Sequence, residues 1–334
     1  MTENGNSAII KIEHLEKLFP VSAGMFRKPR NFVHAVDDLN FEIPAGGSLG
    51  LVGESGCGKT TTGKLIVKLY EPTGGHIFLR DPGKEGYTDV AVLRGPELKV
   101  FRRRVQMIFQ DPYESLNPRR TIFDTVAEPL AVQGIGSVVD REENVAKMLS
   151  LVGLVPVATF MFRYPHELSG GQRQRIAIAR ALIVEPQFIV ADEPTSMLDV
   201  SIRIGVMELM SELTDRMGVS YLYITHDLAV ARYMCQRIAV MYTGKIVELA
   251  ESEELLNKPL HPYSRALISA VPIPDPRLSR AAIEIKGGIS KPIDPPPRCR
   301  FFARCPLADK ECETNDHPPL VDKGNNHFVA CYKV

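Results

Sequence analysis

An excess of charge of either sign is the first thing missing from this sequence: 40 Lys and Arg stand against 40 Asp and Glu, a formal net charge of +0. A nucleic-acid binder of this size would carry a basic surplus, so the balance speaks against that class. No apolar run approaches the ~20 residues that a helix needs to cross a bilayer. The opening MTENGNSAII lacks the basic-then-apolar layout of a signal peptide. Together these absences predict a soluble, cytosolic chain whose contact with a membrane runs through partners. Cysteine is scarce before residue 299, where only Cys57 and Cys235 occur; the other four of six lie between 299 and 334. In a reducing compartment, such a cluster favours metal over disulfides. What is present, 44% hydrophobic and 24% charged residues over 334 positions, suits a globular chain with one large domain and an appendage, or two domains.

The chain is organised around Leu49–Thr62, LGLVGESGCGKTTT. Leu49, Gly50, Leu51 and Val52 predict a buried strand. Gly53, Glu54, Ser55, Gly56, Cys57, Gly58, Lys59 and Thr60 then fill the pattern G-x-x-x-x-G-K-[ST]. Three glycines let the backbone wrap closely enough for successive N–H groups to point at phosphate oxygens, and a helix starting near Lys59 aims its positive end the same way. A glycine-rich turn alone would not need that lysine and threonine. Lys59 is expected to reach the β- and γ-phosphates and Thr60 to hold Mg²⁺, with Thr61 beside them. Cys57 matters there through its backbone more than its thiol.

Around this loop the pattern alternates. Residues 8–20 predict a strand that brings Phe19 either into the core or against a base. Residues 22–31 predict a polar, basic loop, and 35–46 a half-buried strand. HIFL begins another strand, and 80–97 predict loops between short antiparallel strands. Arg102, Arg103 and Arg104 suit a solvated helix face. VQMIFQ predicts a strand ending at Gln110. From 111 to 165 apolar spacing is helical, with Gly134 and Gly153 as stops. Ser169, Gly170, Gly171 and Gln172 open a helix that Pro186 closes, some 14 residues or ~20 Å long. FIVADEP, YLYITHD and RIAVMYTGKIVELA predict strands separated by helices, which implies a mostly parallel sheet. Cys235 falls in a helix, as a core residue. Composition shifts near 255, HPYSRALISAVPIPDP (261–276) gives a helix and a proline-rich run, and the tail shows little regular pattern.

Several residues sit where chemistry would need them. Asp192 follows an apolar strand at the edge where open α/β sheets bind ligands, placed to hold the Mg²⁺ that Thr60 touches. Glu193 can orient or deprotonate a water. Gln110 and His226 end strands; an amide can ligate Mg²⁺, and an imidazole can hold a γ-phosphate and water together. The free N–H groups at Ser169–Gln172 form a second anion site. Its helix separates that site from Asp192, which suggests that it closes over nucleotide on another subunit. In the tail, Cys299, Cys305, Cys312 and Cys331 suit Zn²⁺ or an iron–sulfur cluster, and no paired C-x2–4-C knuckle is present. His317 reads as a loop histidine.

With these residues in order, the chain resembles the ATP-binding subunit of ABC transporters. Phe19 matches the base-stacking aromatic and Gly53–Thr60 the phosphate loop. Gln110 matches the Q-loop, LSGGQ (168–172) the signature, Asp192–Glu193 the Walker B pair, SMLD (196–199) the D-loop with Asp199, and His226 the switch histidine. Met197 departs from the alanine that many members carry. QDPYESLNPRR (110–120), HPYSRALISAVP (261–272) and the tail from PPPRCRFFARCPLA resemble the dipeptide/oligopeptide and nickel importers. That resemblance implies an α/β P-loop NTPase core of RecA type at 1–255, with an antiparallel β subdomain, a helical subdomain at about 111–168, and a loop-rich metal-binding extension at 256–334. It implies ATP and Mg²⁺ as ligands and favours a [4Fe–4S] cluster over Zn²⁺ on the four cysteines. It further implies a second ATP-binding subunit, a copy or a paralogue, two transmembrane permease subunits, an extracytoplasmic binding protein acting indirectly, no nucleic acid, and a place on the cytoplasmic face of the membrane. ABC ATPases that serve nucleic acid or translation usually carry a long coiled-coil insertion or two cassettes, and neither is present.

Overall fold

The computed structural model describes residues 7–21, 30–83, 86–271, 285, 287–288 and 291–334. The loop expected at 22–31 lies outside the described residues except for Arg30 and Asn31, as does the proline-rich run at 272–276.

In chain order, strand β1 (Ala8–Pro20) and strand β2 (Phe32–Pro44) precede β3 (Ser48–Val52), whose interior residues are all buried, and helix α1 (Lys59–Ile66). Strands β4 (Gly74–Arg80) and β5 (Tyr87–Asp89) follow. The stretch expected as loops then contains more order than its Gly, Pro and Asp content suggested: helix α2 (Gly95–Arg104) starts on Gly95-Pro96 and carries Arg102, Arg103 and Arg104 in its last turn. Strand β6 (Val105–Ile108) leads to the helical stretch of α3 (Pro112–Ser115), α4 (Ile122–Gln133), α5 (Val138–Leu151) and α6 (Val157–Met161). Thr121 and Ser137 begin α4 and α5 with reciprocal caps through Asp124 and Asp140. Gly134 ends α4 in the left-handed conformation, as its position as a stop predicts. Helix α7 (Gly170–Leu182), strand β7 (Phe188–Asp192), α8 (Val200–Met217), β8 (Ser220–Thr225) and α9 (Leu228–Met234) come next. Strands β9 (Arg237–Tyr242) and β10 (Lys245–Glu251) precede α10 (Ser252–Asn257) and α11 (Pro262–Ser269). The tail adds α12 (Lys310–Thr314) and the two-residue strands β11 (Val321–Asp322) and β12 (Phe328–Val329).

The chain divides into two compact units. Unit one comprises Met1–Ile9, described from Ser7, together with Pro44–Gly47 and Val92–Leu222; unit two comprises Ile10–Ile43, Ser48–Ala91 and Tyr223–Val334. In unit one the sheet order is β8-β7-β6, with β6 parallel to β7 from the Val105–Phe188 pair to the Ile108–Ala191 pair. The helical stretch belongs to this unit, with α4 packed on α7.

Unit two contains the antiparallel sheet expected for a β subdomain, in the order β2-β1-β4-β5, with Ile10 opposite Leu79 and Ile12 opposite Ile77. It also contains the order β11-β12-β10-β9-β3, in which β3 runs parallel to β9 and β10 antiparallel to both β9 and β12. The tail therefore adds strands to the sheet that holds β3, something two-residue strands could not announce in sequence. It also runs beside β2, where His34 donates its N–H to Pro292 and Asp294 donates to Phe32. One buried cluster joins Val52, Val240, Tyr242 and Val247 of the strands to Tyr263 of α11 and to Cys299, Phe301 and Cys312 of the tail. The Tyr242 ring packs edge-on against Tyr263 and Phe301, with centroids 4.7 and 5.1 Å apart, and the Tyr263 and Phe301 rings are tilted at 5.5 Å.

The fully buried carboxylate of Glu248 fastens this arrangement. It accepts from the N–H groups of Leu260 (2.7 Å) and His261 (2.9 Å) and lies 2.7 Å from the His327 ring. Glu248→Ala leaves those buried donors without acceptors. We expect it to lower stability by about 3 kcal/mol, read as a drop in the urea unfolding midpoint.

Two histidines, His261 fully buried and His317 half-buried, give unit two a pH dependence. The Nδ1 atoms of His261 and His317 accept backbone N–H bonds from Tyr263 and Arg300, which requires neutral rings. Burial pushes His261 down to about 4 and His317 down to about 3, Lys245 and Arg300 adding to the latter. The unfolded chain takes up these protons near pH 6.5 and the folded chain only well below that. Their contribution is therefore complete above pH 6.5 and is lost as pH falls towards 4. The unfolding midpoint should decline steadily over that window, with a shallower decline in His317→Gln.

Candidate nucleotide site and its relatives

In unit two, β3 delivers the chain into the phosphate loop. Gly53 passes so close to the next strand that a Cβ there would lie 2.2 Å from the Met241 carbonyl oxygen. Gly58, at φ +114°, opens α1, and a Cβ on it would lie 2.1 Å from the Ala35 carbonyl. Both positions demand glycine for space, and Gly58 also for its backbone angle. The crest, Ser55 and Gly56, is exposed, whereas Lys59 is only 6% exposed. The Lys59 ammonium donates to the carbonyls of Gly53 (2.7 Å) and Glu54 (3.0 Å), so it lies folded over its own loop. Burial pushes the Cys57 thiol up, which keeps it protonated and leaves the backbone as the loop's functional surface. A left-handed Gly56, a glycine helix cap and a lysine with no carboxylate on it among the described residues fit a polyphosphate.

Glu54, the second residue of the loop, is tied to the C-terminal extension of the same unit. Arg304 donates to both of its carboxylate oxygens, at 2.7 and 3.1 Å, and the Glu54 N–H donates to the Tyr263 hydroxyl at 3.0 Å. No short-range pattern in the sequence joins these residues; Tyr263 lies in the HPY stretch noted above. Phe19 sits at the end of β1, half-buried, with the Tyr70 ring edge-on at 5.7 Å and the Lys17 ammonium 5.2 Å from its centroid. His226 is exposed just after β8, where Asp227 caps α9.

Unit one brings together two of the expected residues. The Gln110 amide donates to the Glu193 carboxylate at 3.1 Å, because parallel β6 and β7 end side by side. Asp192 is 3% exposed at the end of β7. Glu193 takes a φ of +44°, and its carbonyl accepts from both the N–H and the hydroxyl of Ser196. A non-glycine residue held there stores roughly 1–3 kcal/mol of strain, a cost that clusters at functional sites. Asp199 is exposed as the N-cap residue of α8, without a capping bond from its side chain.

The stretch Leu168–Gln172 begins α7. Ser169 and Gln172 cap each other, side chain to backbone, at 3.3 and 3.0 Å. Gly171 is needed for packing as well, since a Cβ there would lie 2.5 Å from Ile202 of α8. The neighbouring Arg173, whose guanidinium stacks 3.8 Å from the Tyr113 centroid, donates to the carbonyls of Pro165 and Leu168. Arg173 escaped the sequence reading because its contact with Tyr113 is made only in the fold.

The four tail cysteines lie close enough to influence one another electrostatically. Backbone bonding brings Cys299 and Cys312 together, and Cys312, Cys331 and Cys305 all act electrostatically on the Cys299 thiol. Burial pushes that thiol up to about 11, and Cys299 and Cys312 pack inside the apolar cluster. Among the described residues, no group of three or more His, Cys, Asp or Glu side chains converges as metal ligands would. The described residues thus give no support of their own to the [4Fe–4S] cluster, or the Zn²⁺, expected on these cysteines. His317 stays a loop residue bonded to Arg300.

Comparison with known proteins agrees with this inventory. Residues 36–196 match the ABC transporter family, and residues 247–312 match the oligopeptide/dipeptide transporter C-terminal region. The chain is 43% identical to the oligopeptide transport ATP-binding protein AppF of Bacillus subtilis, over 99% of each. It is 41% identical to the dipeptide transport ATP-binding protein DppF of Haemophilus influenzae, over 98% of each. Its fold matches the ATP-binding cassette MJ0796, solved as a dimer in a post-hydrolysis state with ADP and Pi, at a TM-score of 0.63 and 29% identity over 73% of this chain and 98% of that one. No helix among the described residues is long and apolar enough to cross a membrane. The chain belongs to the ATP-binding proteins of ABC transporters, in the branch that carries the oligopeptide/dipeptide transporter C-terminal region.

Proposed function

We propose that the chain is the peripheral ATPase of an importer of di- and oligopeptides, seated at the cytoplasmic face under two permease subunits and supplied by an external binding protein. The observation that carries this best is the pairing, in one chain, of the ABC transporter match with the oligopeptide/dipeptide C-terminal region, alongside similarity over nearly the full length of relatives named for oligopeptide and dipeptide transport. ATP is gripped by Gly53–Thr61 of one subunit, with Phe19 against its base, and covered by Ser169–Gln172 of a second ATP-binding subunit. Magnesium held by Thr60, Gln110 and Asp192 would neutralise charge on the phosphates. Lys59 swings from its own carbonyls to the β- and γ-phosphates. Glu193, held at its carboxylate by Gln110, accepts a proton from the attacking water, while His226 holds that water against the γ-phosphate and Asp199 braces the opposite subunit. Residues 1–255 form the ATPase, with 111–168 as its helical part, and 256–334 the extension.

Reconstitution in liposomes with the permease subunits tests this reading. Adding peptide-loaded binding protein should raise ATP hydrolysis. Hydrolysis indifferent to peptide, together with salt-dependent binding of RNA or DNA, would move the chain to the nucleic-acid class. The finer expectation of a [4Fe–4S] cluster rests on the resemblance and on the mutual influence of the tail thiols. About four iron and four sulfide per anaerobically purified chain would sustain it, and iron-free protein would remove it.

A further inference from the structure

We propose that Arg304 and Tyr263 are positioning residues for the phosphate loop, through which the C-terminal extension sets the affinity for ATP. The proposal rests on the assignment of Gly53–Thr60 to nucleotide phosphates, and everything it uses lies within unit two.

Glu54 poses a problem at its place in the loop. Its carboxylate sits one residue past Gly53 and its backbone carbonyl holds Lys59, so a negative charge stands beside the loop meant to receive a polyphosphate. Arg304 answers that charge with a two-point bond. Its side chain is 10% exposed and that of Glu54 27%, so the pair is shielded more than an ordinary surface bridge. The arginine is itself held: its N–H donates to Phe301, which is 1% exposed in the aromatic cluster, and its guanidinium lies 5.8 Å from the Tyr242 centroid. Tyr263, fully buried in the same cluster, takes the Glu54 N–H on its hydroxyl. Side chain and backbone of one loop residue are thus fixed by two residues of the extension, one from α11 and one from the turn between Cys299 and Cys305.

The consequence is electrostatic and geometric. Without Arg304, Glu54 becomes an uncompensated anion that is free to turn towards the phosphates, and like charges at such range repel strongly in a partly shielded site. Without the Tyr263 hydroxyl, the loop loses one anchor but no charge. Neither residue touches the reacting atoms, so binding should suffer and the chemical step should not.

The test is ATP titration and steady-state kinetics on the full-length chain, wild type and variants, each checked for its thermal unfolding midpoint. Arg304→Gln should weaken ATP and ADP binding and raise KM for ATP about tenfold, with kcat at saturation changed by less than about twofold. Tyr263→Phe, which keeps the ring, should cost about threefold in affinity. Arg304→Lys should fall between wild type and Arg304→Gln, since it restores charge without the fork. Adding Glu54→Gln to Arg304→Gln should recover most of the lost affinity, which a purely structural role for Arg304 would not allow. Arg304→Gln that unfolds like wild type and binds ATP like wild type overturns the proposal; so does failure of the double variant to recover. Should Arg304→Gln not fold, unchanged affinity in Tyr263→Phe and Arg304→Lys overturns it equally. ATP binding that survives Lys59→Ala removes instead the assignment of the loop.

Discussion

Replacing Glu193 by glutamine is expected to slow ATP turnover by about 10²–10⁴-fold, the usual worth of a general base, and to leave ATP binding in place. Glutamine keeps the size and the hydrogen-bonding reach of the side chain but cannot accept the proton. The local structure argues that the change is confined to chemistry. Glu193 is presented by a backbone held at φ +44° and fixed by two bonds from Ser196 to its carbonyl, none of which involves the carboxylate. The Gln110 amide, 3.1 Å away, meets an amide oxygen as readily as a carboxylate oxygen. Turnover near the wild-type rate in Glu193→Gln would assign the proton transfer elsewhere.

Lys59→Ala carries the second large effect, on binding. Lys59 is 6% exposed, and its ammonium bonds the Gly53 and Glu54 carbonyls and the Cys57 sulfur of its own loop, with no carboxylate among its described partners, so its positive charge is kept for an incoming anion. Loss of a charged donor to the phosphates should weaken ATP binding about 10²-fold, equivalent to ~3 kcal/mol. Calorimetric titration of the purified variant checks this. Because the lysine also ties Gly53 and Glu54 together, part of the loss will appear as a looser loop. Glu54 then leans more heavily on Arg304, so Lys59→Ala and Arg304→Gln should not combine additively.

What the sequence disclosed and what it withheld divide along a physical line. The phosphate loop was legible because its geometry admits few residues: Gly53 and Gly58 stand where a Cβ would collide with the backbone of Met241 and Ala35. The start of α7 was legible for a similar local reason, since a serine three residues before a glutamine makes its own cap. Strand ends carrying Gln110 and Asp192 followed from apolar runs, and the parallel pairing of β6 and β7 turned two separate guesses into one contact between Gln110 and Glu193. Long-range contacts were not legible. Arg304 and Glu54 are separated by 250 positions, and nothing in the neighbourhood of either announces the other. The strands β11 and β12 are too short to show alternation, and the start of α2, unlike its arginine-bearing last turn, hides behind turn-forming residues. For the cysteines, spacing and packing answer different questions. Their spacing suggested ligands, yet spacing does not decide where side chains point, and Cys299 and Cys312 point into an apolar cluster.

The composite site is the central claim, and nucleotide-driven assembly is its most direct measure. Sedimentation of the Glu193→Gln chain, alone or with the second ATP-binding subunit of its transporter, should show a particle of two ATP-binding subunits with Mg-ATP and separate subunits with ADP. Ser169→Arg, placed in the exposed cap of α7, should abolish that particle while each chain still binds ATP. Assembly that persists in Ser169→Arg, or no assembly with Mg-ATP in either pairing, would contradict a nucleotide shared between the phosphate loop of one subunit and the Ser169–Gln172 cap of another.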